Sequence, residues 1–374
     1  MPKLFELVPL PKPPRISGNT FKTWLGNHSK NIPLLPGKVF DPTVEVGIEV
    51  EVENIGGNIP LSTGFWQMKG DNSLRNNGAE FVSIAVKGDQ LHWALSELHW
   101  VLPQTAVYSQ RTSVHVHMDM QGMTPEQIAS ITLVYLTVEK VLYRWVGHDR
   151  DKNIFCFPLH ELPLVDTLFS RLENVATKGN VQGSETRYSG LNFTPLTTFG
   201  TLEFRQMHGT GDMGRVLTWV NLLQRIRAYA LSKSKDQLIA ELLQLNTNSM
   251  YGYYMAQVFG DMLPELATPT LDGDVAFGVL SVKRALLSNR WKGTLLKSSH
   301  ADSAMQEWVV LQSGKPVAGQ YAQYNWVDVL GAALRPDQAD LVRTEAQPPA
   351  RARRDPFIQF DELRVQAHPN EEEV

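Results

Sequence analysis

Residues 44–53, VEVGIEVEVE, leave a chain little choice of local structure. Val44, Val46, Ile48, Val50 and Val52 alternate with Glu45, Gly47, Glu49, Glu51 and Glu53. A period of two is the β-strand period, so the apolar side chains face one way and the carboxylates the other. Up to four carboxylates then share one strand face, about 6.5–7 Å apart per two-residue step. Like charges that close repel unless water or a cation screens them. Two readings follow. The strand borders a wet, acidic sheet face, as antiparallel sheets often have. Alternatively it forms one wall of a divalent-metal site, since Mg²⁺ and Mn²⁺ take oxygen ligands.

Two further strands carry the same kind of pattern. In TSVHVHMD, residues 112–119, Val114, Val116 and Met118 face one way, and Ser113, His115, His117 and Asp119 the other. In GTLEFRQM, residues 200–207, Leu202 and Phe204 oppose Thr201, Glu203 and Arg205. Between the first two lies GDNSLRNNGAEFVSI, residues 70–84, a polar loop entering a strand, with Asp71 and Glu80 as its acidic residues and Asn76-Asn77-Gly78 as a turn signal.

Helices are marked by their caps and stripes. Asp89 is placed to cap a helix through about Val101. Thr124-Pro125-Glu126-Gln127 combines a cap, a first-turn proline and a capping-box glutamine. The stripe of Ile128, Ile131, Tyr135, Val138, Leu142 and Trp145 that follows is core packing. Residues 213–231 read as a helix, and Ser234 to Gln237 opens another to about Leu245. Weaker helical stretches follow at 274–288 and 326–335. The charged run His148 to Lys152 reads as a solvated loop rather than a phosphate contact, and residues 174–186 as a surface loop.

Strands in blocks with helices between and after them make an α+β order, a largely antiparallel sheet with helices on one face. The other face is then a cleft lined by Glu49, Glu51, Glu80, His115, His117, Glu203 and Arg205. Seven such groups on one face favour a metal and phosphate site over accidental polarity. The expected organisation is an extended proline-bearing arm over 1–40, a catalytic domain over 41–250, a helical extension of it over 251–345 and a disordered tail over 346–374.

Composition narrows the function classes. The chain has 374 residues, 43% hydrophobic and 20% charged, which describes a soluble globular protein. A net charge of −4 gives no basic field for nucleic acid, and no apolar run is long enough for a transmembrane helix. The single cysteine, Cys156, rules out disulfide stapling and thiolate zinc sites. The first residues lack the apolar core of a signal peptide, so the cytoplasm is the expected compartment. No GxxxxGK[ST] and no GxSxG occurs, so neither a P-loop nor a serine triad is on offer.

The ordered set GIEVEVE, GDNSLRNNGAEFVS, SVHVHMD, RYSGLNF and GTLEFRQMHGT resembles the motif series of amidoligases. Those are carboxylate–amine ligases related to glutamine synthetase and glutamate–cysteine ligase. The likeness covers roughly residues 44–225. It implies a glutamine synthetase-like catalytic sheet, with ATP and Mg²⁺ (or Mn²⁺) as cofactors. It also implies an amide-forming reaction through an acyl phosphate on small-molecule or peptide carboxylates and amines. By the same likeness Glu51, Glu80 and Asp71 share one ion, and Glu49, His115 and Glu203 share another. His117 lies near the nucleotide. Arg205 and Arg187 steady phosphoryl oxygens, and Asn192 touches substrate. Glu45 and Glu53 have no counterpart in the motif and read as solvated.

Two other classes are open. His115-x-His117-x-Asp119 is similar to the metallo-β-lactamase motif, but position 120 is Met where that motif has His. A non-catalytic homologue would keep the sheet without the reaction. The motifs do not identify the substrates or the oligomeric state.

Overall fold

The computed structural model describes residues 37–56, 61–147, 150–162 and 187–287. The expected surface loop at 174–186, the helix at 326–335 and the tail at 346–374 lie outside these residues. So does all of the N-terminal arm except residues 37–40.

Six strands form one antiparallel sheet: β1 (Val46–Val52), β2 (Trp66–Lys69), β3 (Ala79–Ser83), β4 (Ser113–Asp119), β5 (Leu191–Asn192) and β6 (Thr201–His208). The order across the sheet is β2-β3-β1-β4-β6-β5. This agrees with the α+β expectation, and β1 starts two residues later than the alternation alone suggests. Val46, Ile48, Val50 and Val52 are essentially inaccessible, as are Val114, Val116, Leu202 and Phe204. They form the sheet's contribution to the core, each worth about 1.5–3 kcal/mol in buried apolar surface.

The helices are α1 (Asp89–Val101), α2 (Pro125–Val146), α3 (Pro195–Thr198), α4 (Met213–Leu231), α5 (Lys235–Gln244), α6 (Asn248–Phe259), α7 (Leu263–Leu266) and α8 (Leu271–Leu287). Helix α2 has the capping box read from Thr124 and Gln127. It is buried nearly all round, packed against β6, α4 and α8. Ser130, Thr132 and Thr137 survive inside it by donating to carbonyls one turn back. Helix α8 approaches α2 so closely that a Cβ on Gly278 would lie 2.0 Å from Thr137 O. Only glycine fits there. The cap expected of Asp89 is not formed, since Gly88 is the N-cap residue and Asp89 the first helical one. The boundary expected at 250 falls inside α6.

Candidate metal and phosphate site

The antiparallel register brings the singled-out side chains together. Glu49 lies opposite His115 on one side and Val82 on the other, and Glu51 lies opposite Glu80. His117 pairs with Gly47 across one ladder and Glu203 across the other, and Asn192 pairs with Glu203. Five neighbouring strands thus deliver their polar alternates to one patch, on the face opposite the helix-covered valines.

One end of this patch is carboxylate only. Glu51, Asp71 and Glu80 each offer an oxygen within 4.8 Å of the others. Glu51 is buried and its Oε2 accepts both Ser113 N, at 2.8 Å, and Ser113 Oγ, at 2.6 Å. Asp71 comes from the β2–β3 loop. That loop is fastened to the chain leaving β1, with Asn54 N donating to Asn76 O at 2.9 Å and Ile55 N to Asn77 O at 3.2 Å. Asn76 and Asn77 take positive φ, at 52° and 55°, as the turn signal suggests. Arg75 N donates to Glu53 Oε1 at 2.8 Å, and Glu53 is only 3% exposed. The expectation of a solvated Glu53 is therefore corrected, because the folded-back loop covers it. Glu45, by contrast, is half-buried, with 39% of its side chain exposed, and pairs with Lys87 at 3.2 Å. Burial, together with the charges of Glu49, Glu51 and Asp71, pushes the Glu80 carboxyl up to about 9. Carboxylates crowded in this way hold a proton where no cation is bound.

The other end mixes nitrogen with oxygen. His115 Nδ1 lies 3.1 Å from Glu49 Oε2 and 3.4 Å from Glu203 Oε1. His117 Nδ1 lies 3.0 Å from Thr201 Oγ1. Its Nε2 lies 3.3 Å from Glu49 Oε1, close enough for charge attraction but outside hydrogen-bond geometry, so this buried nitrogen has no hydrogen-bond partner. Two groups fall within ligand distance here, Glu49–His117–Glu203 and Glu49–Glu80–His115. Burial pushes Glu49 up, but the two histidine rings outweigh it and hold the carboxyl well below its usual range. Burial likewise opposes charge on His117, and the proximity of Glu49 and Glu203 outweighs it, so its pKa rises. Burial also pushes Glu203 up, yet Arg205 and then the histidines bring it below the usual carboxylate value.

A bulge sets Arg205. The β4–β6 register passes from Val116↔Phe204 to Val114↔Met207, so three steps on β6 match two on β4. The extra residue lies at Arg205–Gln206, beside His115, where a bulge re-aims a side chain. Arg205 forms an ion pair with Glu203 and donates from Nε to Phe155 O at 3.1 Å. The carbonyls of the bulge are taken by Arg150, whose guanidinium donates to Gln206 O at 3.0 Å and Arg205 O at 3.1 Å. Arg150 is 2% exposed. At Arg150 the expectation of a solvated charged run is corrected, because the bulge leaves backbone acceptors that need a multi-pronged donor; Asp151 and Lys152 are exposed as expected, and residues 148–149 lie outside the described ones.

Glu49, Glu51, Asp71, Glu80, His115, His117, Glu203 and Arg205 thus converge on one patch. Asn192 joins it by donating to Glu203 Oε2 at 2.6 Å, so its amide orients a carboxylate. Arg187 stands apart: it is exposed, with its guanidinium carbon 5.7 Å from the Tyr188 ring centroid. Tyr188 in turn packs against Phe155, whose carbonyl accepts from Arg205 Nε. Ser113, Thr201 and Arg150 are the working residues that the sequence pattern did not single out.

Residues 66–227 match the family model described as "Putative amidoligase enzyme". The match spans β2 to α4 and begins after β1, so Glu49 and Glu51 lie outside it. No match was found among curated proteins. Among the described residues no helix is long and apolar enough to cross a membrane.

Proposed function

From the amidoligase-family assignment of residues 66–227 and the ligand groups on the sheet face, we propose that this chain is an ATP- and Mg²⁺-dependent carboxylate–amine ligase. The observation that carries the reading is the run of three adjoining sets of carboxylate and imidazole atoms, each within 4.8 Å. The donor chemistry fits divalent cations. Glu51, Asp71 and Glu80 form an all-oxygen set of the kind Mg²⁺ takes, and Glu80 takes up a proton where that charge is uncompensated. His117 Nε2, buried without a hydrogen-bond partner, is the kind of nitrogen a cation would use. When bound, divalent ions would neutralise the charge of ATP phosphates and of the substrate carboxylate.

The residues do the rest. Glu49, Glu51, Asp71, Glu80, His115, His117 and Glu203 would hold the cationic charge in place, with His117 at the nucleotide end. Asn192 fixes the rotamer of Glu203. Arg205 is held rigidly by Glu203, Phe155 O and the bulge, and it presents a planar fork to transferring phosphoryl oxygens. Arg187, exposed and outside the patch, would meet phosphate or substrate as it approaches. No protein nucleophile is required. The γ-phosphoryl passes from ATP to the substrate carboxylate, giving ADP and an acyl phosphate. The amine then attacks the carbonyl carbon, inorganic phosphate leaves with the C–O electron pair, and the amine sheds a proton to solvent or base.

Hydroxylamine in place of the amine traps the acyl phosphate as a hydroxamate. A carboxylate screen should give hydroxamate that needs both ATP and Mg²⁺. Amide hydrolysis without ATP would install a metal-dependent hydrolase instead. A chain that binds neither metal nor nucleotide would be a non-catalytic homologue.

A further inference from the structure

Ser113 touches both ends of the patch. Its backbone N and its Oγ both donate to Glu51 Oε2, and Oγ lies 2.7 Å from His115 Nε2. Ser113 is 2% exposed and His115 3%, so water does not compete for these contacts. A hydroxyl has one proton, and Glu51 Oε2, already accepting an N–H, takes it. The remaining contact can then work in one direction only: Ser113 Oγ accepts, and His115 Nε2 carries the hydrogen. Nδ1 is thereby the ring atom left to Glu49 Oε2, with which it shares a proton in a 3.1 Å hydrogen bond where no cation is bound, and to Glu203 Oε1 at 3.4 Å; a cation would take that proton's place.

We propose that Ser113 is a positioning residue that fixes His115 as its Nε2–H tautomer and so dedicates Nδ1 to the cation held with Glu49. The inference rests on the metal reading above, but its central claim concerns a proton on one nitrogen and is tested separately. The same hydroxyl ties Glu51 of the all-oxygen set to His115 of the mixed set. A ligand histidine gains orientation and basicity when its other ring nitrogen donates to a fixed acceptor. Here that acceptor is a serine oxygen polarised by a carboxylate. Ser113→Ala leaves Glu51 its backbone donor, so the substitution removes the relay without releasing the carboxylate.

The test uses the full-length chain labelled with ¹⁵N-histidine. In the wild type without metal, long-range ¹H–¹⁵N correlation should place an exchange-protected hydrogen on His115 Nε2. In Ser113→Ala that protected signal should be lost, and titration calorimetry with Mn²⁺ as the probe should show affinity reduced about tenfold or more. Ser113→Thr, which keeps the hydroxyl, should restore both. A wild-type spectrum with His115 Nε2 free of hydrogen overturns the proposal, as does Mn²⁺ affinity unchanged in a Ser113→Ala protein of normal melting temperature. Should Ser113→Ala fail to fold, the wild-type proton assignment and Ser113→Thr still decide. Because that assignment needs neither ATP nor substrate, its failure is distinguishable from failure of the ligase reading.

Discussion

The two ends of the patch solve the same electrostatic problem in opposite ways. Glu49, half-buried, and Glu203, buried, lie at the mixed end among His115, His117 and Arg205, and their carboxyls fall below the usual range. Glu80, at the carboxylate end, is raised by burial and by the carboxylates of Glu49, Glu51 and Asp71 to about 9. Burial raises all three, so burial cannot be what separates them. The difference is counter-charge: the mixed end brings its own, whereas the acidic end lacks it until a cation arrives. The mixed end is preorganised in the absence of metal, and the acidic end is where added metal changes most.

The largest effect should come from Glu49, which belongs to both mixed groups. The double substitution Glu49→Gln with Glu51→Gln strips a carboxylate from every group on the patch. Hydroxamate formation should fall below detection, about 10³-fold or more. Melting temperature in EDTA should hold, because glutamine is near-isosteric and relieves repulsion. Retained hydroxamate formation would show that the patch is not the reacting site.

Arg205→Lys probes the built-in counter-charge. Lysine keeps the cation but loses the fork and the second hydrogen bond that fixes it. Turnover should drop by about 10²-fold with nucleotide affinity little changed. Equal losses in affinity and turnover would make Arg205 a ground-state binder, and the mixed end merely a docking surface.

The acidic end should reveal itself through pH. The folded Glu80 carboxyl lies near 9, against about 4.3 for an unfolded glutamate. Between those values the native state holds a proton that the unfolded state has released, so stability falls as pH rises. Below about 4.3 this contribution is fully present, and above 9 it is gone. In EDTA the melting temperature should therefore decline from about pH 5 to 9. Glu80→Gln should flatten that decline, and saturating Mg²⁺ should oppose it by linkage. A decline identical in Glu80→Gln would assign it to other groups.

These contrasts also separate what the sequence could disclose from what it could not. The alternation of β1 fixed which side chains share a face, and the capping boxes at Thr124 and Ser234 fixed two helix starts, because each is a local rule. The bulge at Arg205–Gln206 is a property of two strands at once, and one strand alone carries no sign of it. Arg150 was unreadable for the same reason. Its acceptors are carbonyls of Gln206 and Arg205, more than fifty residues away, and carbonyls leave no trace in residue identity. Glu53 differs from Glu45 only through a loop that folds back across it. Ser113 and Thr201 sat in view on the polar face, yet a hydroxyl on a strand is too common to single out.

Thr201 offers the mildest test of the comparison. Each histidine at the mixed end leans on a hydroxyl, His115 on Ser113 and His117 on Thr201, at 2.7 Å and 3.0 Å. The settings differ. Ser113 is fully enclosed and backed by Glu51, whereas Thr201 is half-buried and backed by no carboxylate among its described contacts. Water can replace a lost hydroxyl at Thr201 more readily than at Ser113. Thr201→Val keeps the branched shape that suits the strand and removes only the oxygen. Mn²⁺ affinity should fall by no more than about tenfold, at the lower limit for a ligand-orienting partner. Melting temperature in EDTA should change little, since Glu49 and Glu203 still hold the His117 ring. A loss as deep as that from Ser113→Ala would mean that both histidines depend on their hydroxyls alike. The mixed end would then owe its order to hydrogen bonds more than to opposed charge.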